Sequence, residues 1–277
     1  MSDSTRTGDL DHLDGAALLA KLIAISQNEV DAAVSSATDA EVGLNEQQLT
    51  QLVRDRATEA PVVDAITLIL SKPVTSAASF RTAWTAVSIL TELPLDVLPL
   101  YRKALVNLSE MDIESQPPGI GLSMLRSQGS DILRFLDNPD QAWTPQHKGD
   151  WMAERSLTER VDSAEAMRPH LNGLLSWLCD VNWPPFSGCR KQLARFPEVA
   201  VPAIRELLAT ETDDLEWLTR MIEFVHDEVP VGELWDTMRA EVEAKVDRDA
   251  TDEDVKELSE VAETWLRVLD KSKGKQA

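Results

Sequence analysis

Tyrosine is nearly missing from this chain: one residue in 277, beside 8 Trp and 5 Phe. Low tyrosine, modest threonine and abundant Ala, Leu and Glu argue against sheets and for helices. Cysteine is as scarce. Two thiols, Cys179 and Cys189, cannot build a disulfide framework and suit a reducing compartment. No stretch approaches the ~18 consecutive apolar residues of a membrane-spanning helix. The first 14 residues carry Asp3, Asp9, Asp11 and Asp14 around no apolar core, unlike a signal or transit peptide. The expected compartment is the cytoplasm, with the nucleus left open. The Asn107-Leu108-Ser109 sequon is then not expected to be glycosylated.

Positive charge is also in short supply. Lys and Arg number 27 against 48 Asp and Glu, for a net charge of −21. The excess is concentrated, because Glu211 to Glu263 holds 19 acidic and 5 basic residues, a net of −14. Such a field repels nucleic-acid phosphates and anionic membrane surfaces. It attracts basic proteins, or simply keeps the chain soluble. What is plentiful is apolar surface: 43% hydrophobic residues in a chain of this length can form one large packed domain or two ordinary ones.

Helical spacing of apolar residues runs through most of the chain. Ala16 to Val34 shows it, and Asn45 with Gln48 reads as a capped start for the next helix. Pro61 suits a first helical turn, followed by Val62, Ile66, Ile69 and Leu70. The β-branched content there leaves a strand as the alternative. Helices are expected over about 77–92, 95–108 and 122–136, with a Pro- and Gly-broken loop over 111–123. Asn138-Pro139 then opens a segment rich in Pro, Gly, Asp and Gln. Further helices are expected near 157–168, 171–180, 187–195, 199–210, 214–227, 231–247 and 252–271. Asp213 with Glu216 and Thr251 with Asp254 read as capped starts. The organisation expected is a flexible stretch 1–14, a helical domain 15–136, a connection 137–156, a helical-repeat domain 157–271 and a basic tail 272–277.

An internal repeat underlies that last assignment. Leu93-Pro94, Pro99, Arg102 and Leu105 recur at an offset of 103 as Phe196-Pro197, Pro202, Arg205 and Leu208, with Val97 and Val199 one position out of step. Val229-Pro230 follows Phe196-Pro197 by 33 residues. Proline ends one helix and starts the next, and that interval is the length of one helical hairpin. A single hairpin cannot bury its apolar stripe alone, so neighbours must stack. The fold class expected is all-α, with hairpins in a HEAT-like α-solenoid at least in the C-terminal half.

Motifs that carry chemistry are few. The cluster Asp247, Asp249, Asp252, Glu253 and Asp254 fails as an EF-hand, because its sixth and twelfth positions are Asp252 and Leu258. Cys179, Cys189 and His170 lack metal-ligand spacing. His226-Asp227 has no nucleophile elbow to serve. Gly119-Ile120-Gly121 lacks the third glycine of a dinucleotide loop. No metal, cofactor or catalytic residue is therefore expected. The candidate partner-binding residues are Asn182, Trp183, Pro184 and Phe186, in a proline-fixed segment between helices, with Trp217 and Trp235 on helices beside carboxylates. Each has a plainer alternative as a turn former or core filler.

Trp177-Leu178-Cys179-Asp180-Val181-Asn182-Trp183-Pro184 resembles the signature of domain of unknown function 5071. The resemblance continues through Leu193, Pro202 to Leu208, Asp213-Asp214 and Trp217, and covers about residues 169–269. Cys179 and the Pro-Pro-Phe continuation depart from that pattern. The resemblance implies a small all-helical domain with no established activity and no catalytic residues to carry over. The function expected is a non-catalytic interaction module that binds a basic protein on an acidic helical surface, in the manner of an inhibitor or immunity protein. The alternative is an all-helical enzyme with a pocket between the two halves.

Overall fold

The computed structural model describes residues 17, 19–21, 23–24, 46–113, 121–210 and 213–274. Among the described residues there are thirteen α-helices and no strand. No helix among them is long and apolar enough to cross a membrane. The chain divides into two units, Met1–Pro139 and Asp140–Ala277. Most of the helix expected over Ala16 to Val34 lies outside the described residues, as do the cap expected at Asn45 for the next helix, Gly119 and Ile120 of the Gly119-Ile120-Gly121 motif, and the tail beyond Gly274.

The first unit contains α1 (Glu46–Asp55), α2 (Ala60–Leu70), α3 (Ala77–Leu90), α4 (Arg102–Ser109) and α5 (Leu122–Asp137). The β-branched stretch after Pro61 is helical. Its Val62, Ile66 and Leu70 are buried at four-residue intervals, so one apolar stripe outweighs strand propensity. Ser76 caps α3 reciprocally with Ser79. The single helix expected over 95–108 is instead a 3₁₀ turn, Leu98–Tyr101, followed by α4. Pro99 lies in that turn, where its missing N–H costs least. Gly129 lets α5 approach α4 closely, since a Cβ there would lie 3.1 Å from Leu108 and from the Ser109 nitrogen.

Tyr101 closes this core. Its side chain is fully buried, and its hydroxyl donates to the Ala57 carbonyl at 2.6 Å. Burial pushes the phenol from 10.0 to about 12. A raised pKa means that the folded state favours the protonated form. The corresponding stability is complete below pH 10 and is lost as pH rises through about 12. As the chain has one tyrosine, its tyrosinate absorbance titrates a single known site. The expected midpoint is near 12 when folded and near 10 in denaturant. A native midpoint near 10 would show that the ring is not enclosed.

The second unit contains α6 (Trp151–Arg160), α7 (Ala164–Met167), α8 (Leu171–Ser176), α9 (Pro185–Ala194), α10 (Pro197–Thr210), α11 (Leu215–Glu228), α12 (Glu233–Glu243) and α13 (Glu253–Gly274). The helix expected from 157 begins earlier, at Trp151, because Asp150 caps it through the Ala153 N–H. The capped starts also move by one residue each. Asp214, not Asp213, accepts from the Trp217 N–H, and Asp252, not Thr251, accepts from those of Asp254 and Val255. Pro202 sits inside α10, in its second turn, where it removes one i→i−4 backbone bond. Gly274 lies in the last turn of α13 rather than beyond it.

Packing in this unit alternates. Helix α10 lies against α12, α11 against α13, and α12 against α13, while α9 rests on α6. One continuous core runs from Leu157 to Leu269. At its far end Trp235 and Trp265, both fully buried, stack with centroids 4.6 Å apart and planes 8° apart.

Candidate functional site

The segment after Cys179 is built as a turn before it is anything else. Asp180 Oδ1 accepts from the backbone N–H of Asn182 at 2.8 Å and from its Nδ2 at 3.1 Å. This is an Asx-type brace, with Asn182 as donor. Pro184 then caps α9 and Pro185 sits buried in its first turn, so the two prolines fix where the helix begins. Asn182 and Pro184 are exposed and Trp183 is half-buried. Phe186 is partly buried against the core.

Trp183 lies edge-on to Trp177, 5.3 Å between centroids and 72° between planes. Trp177 donates its indole N–H to the Pro145 carbonyl at 2.8 Å. Lys148 Nζ rests 4.7 Å from the centre of the Trp183 ring. The loop 143–150 is therefore the other wall of this turn. Asp150, itself buried, organises that loop by accepting from Trp143 Nε1 at 3.1 Å, the Gln146 N–H at 3.1 Å and the Ala153 N–H at 3.0 Å.

The remaining sequence candidates separate. Trp217 is half-buried and donates to the Leu175 carbonyl at 2.8 Å, tying α11 to α8. Trp235 is a correction: it is fully buried and donates to the Val229 carbonyl at 3.0 Å, so no partner reaches it. Its place beside carboxylates in sequence reflects the outer face of α12, whereas its own side chain points to the core. Trp235 fills a gap between α12 and α13.

The two thiols and the His226-Asp227 pair are the remaining chemistry-bearing groups singled out in the sequence. Burial, then the Glu154 charge, pushes the Cys189 thiol up to about 12. Burial also raises Cys179. A thiolate nucleophile needs the opposite shift. His226 Nδ1 meets Asp227 Oδ1 at 2.9 Å, and Asp227 also takes Arg190 Nη2 at 3.2 Å. Burial pushes the Asp227 carboxyl up, but the bonds from His226 and Arg190 outweigh it and hold it below the ordinary range. Among the described residues, the hydrogen-bond partners of this pair include no serine.

The acidic surface has a specific shape. Helices α11 and α13 enclose a groove of about 670 Å³, counting its open side, lined by Glu223, His226, Asp227, Glu257, Glu260 and Val261. Glu223 is held by Arg220 at 2.8 Å. Glu257 and Glu260 are exposed and form no ion pair among the described residues. The neighbouring cations are already engaged: Arg220 with Glu223, Lys256 with Glu253, Arg239 with Glu243 and Asp270, and Arg248 with Glu263. The surplus negative charge therefore faces solvent. Sequence reading located the acidic stretch but missed Glu257 and Glu260 as a pair on one wall, because nothing in the spacing says which helix lies opposite.

With this geometry in view, the comparisons with known proteins give one positive finding. Residues 143–266, in the C-terminal half of the chain, match the family model described as Domain of unknown function (DUF5071). The match begins at Trp143, the residue held by Asp150, so the loop 143–150 is part of the family unit along with the turn it supports. No curated protein matches the chain.

Proposed function

We propose that this chain is a non-catalytic interaction module that binds a basic protein along the groove between α11 and α13, in the manner of an inhibitor or immunity protein. The observation that carries the reading is Glu257 and Glu260, exposed and outside any ion pair among the described residues although Arg220 feels the Glu257 charge, on one wall of a groove whose other wall presents Glu223 and Asp227. Val261 in the same groove offers an apolar contact between the charges. The alternation of α10 on α12 and α11 on α13 supports a HEAT-like stack, which presents such grooves side by side. Long-range attraction to this face speeds association more than it tightens the final complex, and salt weakens it.

The test is capture of basic proteins by the full chain at low salt, followed by salt elution. A retained basic protein should bind the Glu257→Gln, Glu260→Gln double variant about tenfold more weakly at low salt, because two surface charges contribute roughly 0.2–1 kcal/mol each. The gap should close at high salt. Retention of nothing basic, or equal binding by the double variant at low salt, rejects the reading.

A further inference from the structure

Of the described residues that line the groove between α11 and α13, His226 is the one of a type that turns positive near neutral pH. Its side chain is 36% accessible, so solvent protons reach it. The ring Nδ1 lies 2.9 Å from Asp227 Oδ1. An ionised carboxylate only accepts, so Nδ1 carries the hydrogen and the neutral ring keeps Nε2 as an acceptor. The other Asp227 oxygen takes Arg190 Nη2 at 3.2 Å, and Arg190 also holds Glu228 at 2.9 Å. Arg190 belongs to α9, so these bonds tie down the end of α11 and the imidazole with it. Behind the imidazole, 6.0 Å away between centroids, stands the buried ring of Trp235. The charged groups around His226 are thus Glu223 and Asp227 on α11, Glu257 and Glu260 on α13 and Arg190 on α9, while α12 contributes the Trp235 ring. Arg220 joins this set, holding Glu223 at 2.8 Å and feeling the Glu257 charge.

We propose that His226 is an acid-sensitive release switch for the basic partner, a proposal that rests on the interaction reading above. With the ring neutral, the groove presents the carboxylates of Glu223, Asp227, Glu257 and Glu260 together with a bare imidazole nitrogen. All of these accept from an ammonium or a guanidinium. Protonation turns Nε2 into a donor and adds a positive charge among the same carboxylates. The imidazolium then takes up part of the field that attracts the partner and repels the incoming cation. Linkage gives the sign. A bound cation disfavours the imidazolium, so the complex holds fewer protons than the free protein, and affinity rises with pH. Histidine is the side chain that ordinarily changes charge between pH 5 and 8, whereas carboxylates and lysines ordinarily keep theirs. One exposed charge changes affinity by a factor of about two to five.

The test uses the full chain and an oligo-lysine peptide with blocked termini at low salt, with affinity measured at about pH 8 and about pH 5.5. The parent should bind about two- to five-fold more tightly at the higher pH. Binding between these values should release protons, read by calorimetry in buffers of different ionisation enthalpy. His226→Gln, which stays neutral, should keep the tighter affinity at both pH values and lose that release. His226→Lys, positive throughout, should bind at the higher pH as weakly as the parent does at the lower. Circular dichroism of both variants should match the parent. A pH dependence as large in His226→Gln as in the parent, or none in the parent, overturns the switch. If Glu257→Gln with Glu260→Gln still weakens binding in that case, the groove reading stands without it. Failure of the peptide to bind at either pH removes both.

Discussion

Replacing Trp235 with alanine is expected to cost about 3–5 kcal/mol of folding free energy, the range for truncating a large buried aromatic side chain. Three contacts are lost together. The ring is fully buried, it stacks on Trp265 at 4.6 Å, and its N–H is the donor for the Val229 carbonyl. That carbonyl ends α11 and opens the Val229-Pro230 link to α12, where Pro230 can donate nothing. Truncation therefore leaves a cavity and an unpaired acceptor at the hinge of one helical hairpin. Urea unfolding of the full chain followed by circular dichroism reads the change, taken from the transition that reports the second unit. A loss below about 1 kcal/mol would mean that the stack contributes little to the core.

The two rings of the stack are not equivalent. Trp265 is as buried as Trp235, yet its indole N–H has no hydrogen-bond partner among the described residues. Phenylalanine at 235 strands the Val229 carbonyl, whereas phenylalanine at 265 removes an unpaired donor. The first substitution should therefore cost more than the second, by about 1 kcal/mol, the net value of one hydrogen bond. This contrast separates the hydrogen bond from the loss of ring area, which the two substitutions share.

How far the sequence leads can be judged from such positions. The all-helical character was legible, because stripes such as Val62, Ile66 and Leu70 repeat at helical spacing whatever lies opposite them. The family resemblance was legible in Trp177 to Pro184, whose Asx turn and paired prolines are local devices. Trp235 shows where reading stopped. Periodicity places it on a helix but does not say which of two flanking helices covers it, and neighbouring carboxylates suggested a surface position. The caps at Asp214 and Asp252 were each read one residue early, since adjacent acidic or hydroxyl residues offer equivalent acceptors and only backbone angles choose between them. Lys148 and Glu154 carried no signal at all. The approach of Lys148 to Trp183 and of Glu154 to Gly188 depends on how the loop 143–150 and α6 fold back, which is a tertiary fact.

That loop hangs on one carboxylate. Asp150→Ala is expected to destabilise the second unit by about 3–5 kcal/mol, because it leaves buried donors without an acceptor rather than merely removing a contact. The stranded groups are the Trp143 indole, the Gln146 N–H and the first-turn N–H of Ala153, which also loses its helix cap. Asp150→Asn keeps the shape but brings an amide donor toward groups that are themselves donors, and should cost about 1–3 kcal/mol. Unfolding measurements give the two costs. Near-ultraviolet circular dichroism tests the structural consequence, since Trp143, Trp177 and Trp183 all depend on this loop through the Asp150 carboxylate, the Pro145 carbonyl and Lys148. If Asp150→Ala unfolds like the parent and leaves the aromatic spectrum unchanged, the loop is held by something else. If the aromatic signal collapses while the helical signal persists, the carboxylate is the clasp that presents Lys148 to Trp183.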